Sequence, residues 1–95
     1  MNIIIKPSHL SSKKYDAIIG NKTIPFGARN YEDYTKHKND DRKKLYENRH
    51  KKNEDWNNPL TAGFWAKNIL WNKKTLTESI KDTNKKYNVN IKLMK

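Results

Sequence analysis

The stretch from Thr61 to Trp71, TAGFWAKNILW, sets Phe64, Ala66 and Leu70 beside Trp65 and Ile69, and is apolar around most of a helical circumference. A helix with so little solvated surface has to lie central to a core. Thr61 offers its hydroxyl as the N-cap, and Pro59 keeps any earlier helix from running into it. Ninety-five residues make one domain, 1–95, with a core expected over about residues 13–87. A chain of this size buries only about two-thirds of its extended surface. No cysteine is present, so neither disulfides nor thiolate metal sites contribute, and packing alone must hold the fold.

The segments around the central helix have different periods. Asn2 to Lys6 is rich in β-branched residues and ends at Pro7, which predicts a short strand. Lys14 to Ile19 and Lys22 to Phe26 are two further extended runs. The pair Gly20-Asn21 between them tolerates the positive φ of a two-residue hairpin turn. Pro25 confines its strand to an edge, or itself to a strand end. A helical turn is predicted from Tyr31 to His37, with Tyr31, Tyr34 and His37 on one face. A longer helix runs from a cap at Asp40 or Asp41 to about Asn53, its less polar side marked by Leu45 and Tyr46 between Arg42 and Arg49. Thr75 and Glu78 form a capping box ahead of a third helix with Leu76, Ile80 and Tyr87 on one stripe. Val89, Ile91 and Leu93 then alternate with polar residues, a half-buried strand suited to pairing with the N-terminal one. The fold class expected is α+β: a β-hairpin and terminal strands with about three central helices.

Charge bears on both folding and partners. Lysine and arginine number 21 against 10 acids, a net charge of +11. With 34% hydrophobic content this approaches the composition of disordered chains. Three Trp, five Tyr and two Phe at spaced positions argue for a folded body, since each buried ring stabilises by about 2 to 3 kcal/mol. Between Lys36 and Lys52 eight basic residues face three acids, with His37 and His50 added, directly before the aromatic block. A field of this sign concentrates polyanions, and basic residues beside flat side chains point to nucleic acid. No run of about eighteen apolar residues exists to span a bilayer. Met1 to Ile5 is too short for the apolar region of a signal peptide, so the chain reads as intracellular.

The run FGARNYEDYTKHKNDDRKKLYENRHKKNEDWNNPLTAGFWAKNILWNKKTLTESI, Phe26 to Ile80, resembles a small family of proteins encoded by large DNA viruses of algae and protists. The elements that carry the resemblance are Phe26-Gly27, Tyr31 with Asp33 and Tyr34, His37, Arg42-Lys43, Tyr46, Arg49-His50, Glu54, Trp56, Ala62 to Trp65, Leu70 to Asn72 and Ser79-Ile80. Lys13 to Ile24 is similar to the family's hairpin lead-in. The resemblance implies a viral origin and a place in the virion. The family has no assigned chemistry, so no residue role comes with it.

The residues themselves allow several roles. His37, Asp40, Asp41, His50 and Glu54 are the types a metal-dependent nuclease uses, and His37 with Asp41 has the i, i+4 spacing of two ligands on one helical face. The aspartates serve equally as helix caps, and Glu54 lies four residues from His50, as in an ordinary side-chain pair. No phosphate loop and no nucleophile elbow is present. We therefore expect no enzyme activity, no cofactor and no metal. Arg49 and His50 suit a phosphate clamp, while Arg49 alternatively braces the helices by pairing with Asp33, Glu47 or Glu54. Lys43, Lys44, Lys51 and Lys52 suit outward contacts to a nucleic-acid backbone, which position without reading sequence. Phe64, Trp65 and Trp71 have the spacing of core residues rather than of base-stacking ones, whereas Trp56, on a polar connection, is the better exposed candidate, with a lid over the small core as its more common role.

The expected nucleic-acid-binding set is thus Lys36, His37, Lys38, Arg42, Lys43, Lys44, Arg49, His50, Lys51, Lys52, Lys73, Lys74 and Trp56. The function read from it is non-specific binding of DNA, in preference to RNA, through phosphates in genome packaging or condensation. The competing reading is a minor capsid or core protein that meets acidic virion partners.

Overall fold

The computed structural model describes residues 2–51 and 56–94. Four strands form one mixed sheet in the order β3-β2-β1-β4. Strand β1 (Asn2–Pro7) pairs antiparallel with β2 (Lys13–Ile19), which pairs antiparallel with β3 (Lys22–Ala28). Strand β4 (Asn90–Leu93) joins the free side of β1 in parallel, Ile3 opposite Ile91 and Ile5 opposite Leu93. The α+β class and the pairing of the two terminal strands are therefore as expected from the alternation of the sequence. The hairpin closes on Gly20-Asn21 with Ile19 opposite Lys22. Gly20 alone of the two takes positive φ, at +57°, the pattern of a type II′ turn. Pro25 sits in β3, at the sheet's edge, where its missing N–H leaves no ladder bond unmade.

Side chains on a strand alternate between faces, so register decides which residues become core. Ile3, Ile5, Ala17, Phe26 and Ile91 are buried against Phe64, Trp65, Ile69, Leu70 and Ile80 from the helices. Trp65 is completely enclosed, and its indole N–H donates to the Pro59 carbonyl at 2.7 Å. The core reaches past the expected 13–87, because Ile3, Ile5 and Ile91 belong to it.

Helix α1 is a single turn, Tyr34–His37, capped by Asp33. Tyr31 precedes it and is 75% exposed, so it does not share a buried face with Tyr34 and His37 as the spacing suggested. Lys38, at φ 54°, ends α1 in the left-handed region and turns the chain into α2 (Asp40–His50). The cap of α2 is Asn39, not Asp40 or Asp41: its side-chain oxygen accepts from the N–H groups of Asp41 at 2.9 Å and Arg42 at 3.1 Å. The two aspartates occupy the first helical turn, where their charge still complements the dipole. The expected end near Asn53 lies outside the described residues, as do Lys52 and Glu54.

Helix α3 (Ala62–Trp65) is capped by Thr61, as the sequence indicated. It continues through Ala66–Leu70 with a wider, π-type turn, marked by the Trp71 N–H bonding the Ala66 carbonyl five residues back at 3.1 Å. Inside that turn the Asn68 side chain donates to the Phe64 carbonyl at 2.9 Å, and the Thr83 hydroxyl donates to the Asn68 carbonyl at 3.2 Å. Helix α4 (Leu76–Tyr87) starts at the predicted Thr75 cap, with Glu78 N–H on the Thr75 hydroxyl at 3.1 Å. Its Leu76, Ile80 and Tyr87 pack on the core. The Asn84 side chain then accepts the Ile91 N–H at 2.8 Å, tying the end of α4 to the start of β4.

Candidate nucleic-acid interface

A ladder of five aromatic rings joins α1, α2 and the residue after the π-type turn. Tyr34 meets His37 edge-on at 6.2 Å, His37 meets Trp71 at 5.2 Å, Trp71 stacks on Tyr46 at 4.3 Å with rings within 1° of parallel, and Tyr46 meets His50 at 4.4 Å. The widened turn ahead of Trp71 ends the central helix with this ring against α2 rather than inside the core. Trp71 is only partly buried, unlike Phe64 and Trp65. Tyr34 donates its hydroxyl to Asp40 and lies under the Lys43 ammonium, 5.1 Å from the ring centroid. The ladder thus fixes the orientation of α2, which makes few other contacts with the sheet.

Alongside it runs an open groove of about 790 Å³. One lip is the loop Tyr31-Glu32-Asp33. The other is the face of α2 that carries Arg42, Leu45 and Arg49 at spacings of three and four. Gly27, Ala28, Gly63 and Ala66 line it with little more than backbone, and Trp71 lies behind them. Leu45 is 66% exposed here, so the side of α2 that looked less polar divides into a buried Tyr46 and an open Leu45. Gly27, at φ +80°, allows the close approach of Leu70: a Cβ there would stand 2.6 Å from Leu70 Cδ1.

A second cleft shares the wall formed by Lys14 and Asp33, and holds Arg29, Lys36, Lys38 and Lys74. The shared wall is an ion pair, Lys14 Nζ to Asp33 Oδ2 at 2.5 Å, with both side chains nearly buried. Asp33 also accepts from the Thr35 N–H at 2.9 Å and from the Thr35 hydroxyl. Among the described residues Lys14 is the one lysine or arginine with an ion pair. Asp33 is therefore committed to Lys14, and among the described residues Arg49 has no ion pair with Asp33 or Glu47; Glu54, the third partner considered for it, lies outside the described residues. With a net charge of +11, the chain has more cations than carboxylates to pair with them.

The predicted site residues do not all come together. Arg42, Arg49 and His50 line the first groove, and Lys36, Lys38 and Lys74 the adjoining cleft. Lys44, Lys51 and Lys73 are exposed outside both, whereas Lys43 is partly buried over Tyr34. His37 is a rung of the ladder: its Nδ1 accepts the Asn39 N–H at 2.9 Å and its Nε2 is buried without a partner. Trp56, the better exposed candidate, is half-buried with the Lys67 ammonium 5.0 Å from its ring. Lys52 lies outside the described residues.

The nuclease arrangement is corrected on geometry. Lys38 and Asn39 separate His37 in α1 from Asp41 in α2, so the i, i+4 spacing does not put them on one helical face. Among the described residues no group of three or more His, Asp or Glu could hold a metal ion. Among them, too, no helix is long and apolar enough to cross a membrane.

Residues 3–50 match the model of a family of unknown function (DUF5754). The chain belongs to that family. No curated protein and no solved structure matches. The DUF5754 segment contains β1 to β3, α1 and α2, hence both lips of the groove, and ends at His50. The rings that close the core and the ladder from the other side, Phe64, Trp65 and Trp71, lie beyond it.

Sequence reasoning missed Lys14, Asp33, Arg29 and Tyr31 as parts of this surface. Tyr31 had been assigned to a helix face, and the Lys14–Asp33 pair joins residues 19 apart through the sheet, a separation without a local signature.

Proposed function

We propose that the chain binds nucleic acid, DNA in preference to RNA, through the phosphate backbone and without sequence preference. One observation carries this reading: two adjoining clefts present Arg42 and Arg49 on one side, and Arg29, Lys36, Lys38 and Lys74 on the other, and among the described residues none of these cations is in an ion pair. Unpaired guanidinium and ammonium groups release counterions when phosphates replace them, and that release drives non-specific association. Arginine adds forked hydrogen bonds onto phosphate oxygens. Genome packaging or condensation in a virion is the finer proposal. It rests on the resemblance of residues 26–80, and its check is the protein's presence in purified particles.

The test is the affinity for unrelated duplexes of equal length as salt is varied. Four or five neutralised phosphates give a slope of log K against log salt near −4, the same for every sequence. A slope near zero, or an affinity that depends strongly on sequence, contradicts the proposal.

A further inference from the structure

Resting on the reading above, we infer that the groove between Tyr31 and α2 is a site for single-stranded nucleic acid, which holds an unpaired base against Tyr31 while Arg42 and Arg49 hold the flanking backbone. Three observations carry the inference.

The first is the shape. The groove is concave, its volume of about 790 Å³ lies within the ordinary range of small-ligand sites, and its walls at Gly27, Ala28 and Gly63 are almost bare backbone. A duplex presents a convex, phosphate-lined surface that a projecting ridge of cations meets well. A recess with bare walls suits a flat group that enters it.

The second is polarity. The loop lip carries Tyr31 and the exposed acid Glu32, with Asp33 buried and neutralised by Lys14, whereas the α2 lip carries Arg42 and Arg49. Phosphate is repelled by Glu32 on the first lip and attracted to the second. The amino groups of bases, as donors, suit the acidic lip, where Glu32 is exposed. A strand lying with its backbone along α2 and its bases toward the loop satisfies both sides, and a base paired within a duplex cannot turn that way. Arg42 and Arg49 are separated by seven residues, about 10 Å along the helix, a span that fits successive parts of a backbone better than one free phosphate.

The third is exposure. Tyr31 is 75% and Leu45 66% exposed, and both line the recess. An aromatic ring and an aliphatic side chain left open in a site lined with cations gain nothing from phosphate. They gain from the face of a base, as in proteins that bind single strands by stacking.

The experiment compares fluorescence anisotropy of an oligothymidine and of a mixed-sequence duplex of the same length, at one salt concentration, for the full chain and for Tyr31→Ala. Tyr31 is exposed, so the variant keeps the fold, and a matching circular dichroism melt verifies it. The native chain is expected to bind the single strand at least tenfold tighter than the duplex. Tyr31→Ala is expected to lose about 5- to 100-fold in single-strand affinity and less than twofold for duplex. Equal affinities for the two forms, or a Tyr31→Ala loss shared equally between them, overturn the inference while leaving phosphate binding intact. Failure of both probes to bind overturns it together with the proposal on which it rests.

Discussion

Asp16 shows how one residue can hold a surface in place without belonging to it. By strand alternation it points away from the core, between Tyr15 and Ala17, yet it is fully buried because the loop after β1 folds over it. Its carboxylate accepts from the Ser8 hydroxyl at 2.6 Å, the His9 N–H at 3.1 Å and His9 Nδ1 at 2.5 Å. Burial on its own would raise the Asp16 pKa. The hydrogen bonds from His9 and Ser8, with the charge of His9, outweigh burial and hold it below its ordinary 3.8. A carboxyl with a depressed folded pKa contributes stability that is present above its unfolded value and lost as pH falls through the folded one. Asp16→Asn should therefore cost about 2 to 3 kcal/mol in urea denaturation at neutral pH, and less below pH 4. His37 carries a shift of the same direction. Burial of its ring, then the charge of Arg42, pull its pKa below 6.5, with Lys14 adding to them and Glu32 and Asp33 opposing. The unfolded chain takes up the proton first, so this histidine lowers stability as pH falls through 6.5. Its ring resonances should titrate with a midpoint under 6.5, and a midpoint at or above that value contradicts the buried position.

At the scale of elements, the strands were legible and the joints were not. The β-branched run from Asn2 to Lys6, the alternation in Val89 to Leu93, the Gly20-Asn21 turn, and the caps Thr61 and Thr75 are local signals, and each corresponds to an observed element or boundary. Asn39, Asp40 and Asp41 all satisfy the chemistry of an N-cap, and the left-handed Lys38 before them decided which residue took the position. The π-type turn has no sequence signature, and it brings Trp71 against Tyr46, 25 residues away. The groove was therefore legible only as a list of cations, while its aromatic wall depended on packing across the chain. The two glycines with positive φ give a paired prediction. Gly20→Ala meets open space and should cost only the left-handed strain, about 1 kcal/mol. Gly27→Ala adds a clash with Leu70, which is held in the core, and should cost about 2 to 3 kcal/mol by the same thermal melts. Equal costs would show that Leu70 does not press on β3 at the back of the groove.

Across the whole molecule, a small core carries a large unbalanced charge. One side of the sheet is closed by α3, its π-type continuation and α4, around Trp65. The loop from Gly27 to Asp33 and helices α1 and α2 extend from that body and hold the clefts, braced by the aromatic ladder and by the Lys14–Asp33 pair. Self-repulsion among the exposed cations opposes compaction, so added salt should stabilise the free protein even as it weakens a phosphate-bound complex. The measurement that tests the account most directly is the salt dependence of duplex binding in three proteins: the native chain, Arg42→Gln/Arg49→Gln, and Lys36→Gln/Lys38→Gln/Lys74→Gln. If the two clefts act as one phosphate-binding face, each variant reduces the slope of log K against log salt by about 0.9 for every phosphate contact it removes, and the fold is retained. A slope that stays at its native value in both variants would place the bound phosphates elsewhere and contradict the account.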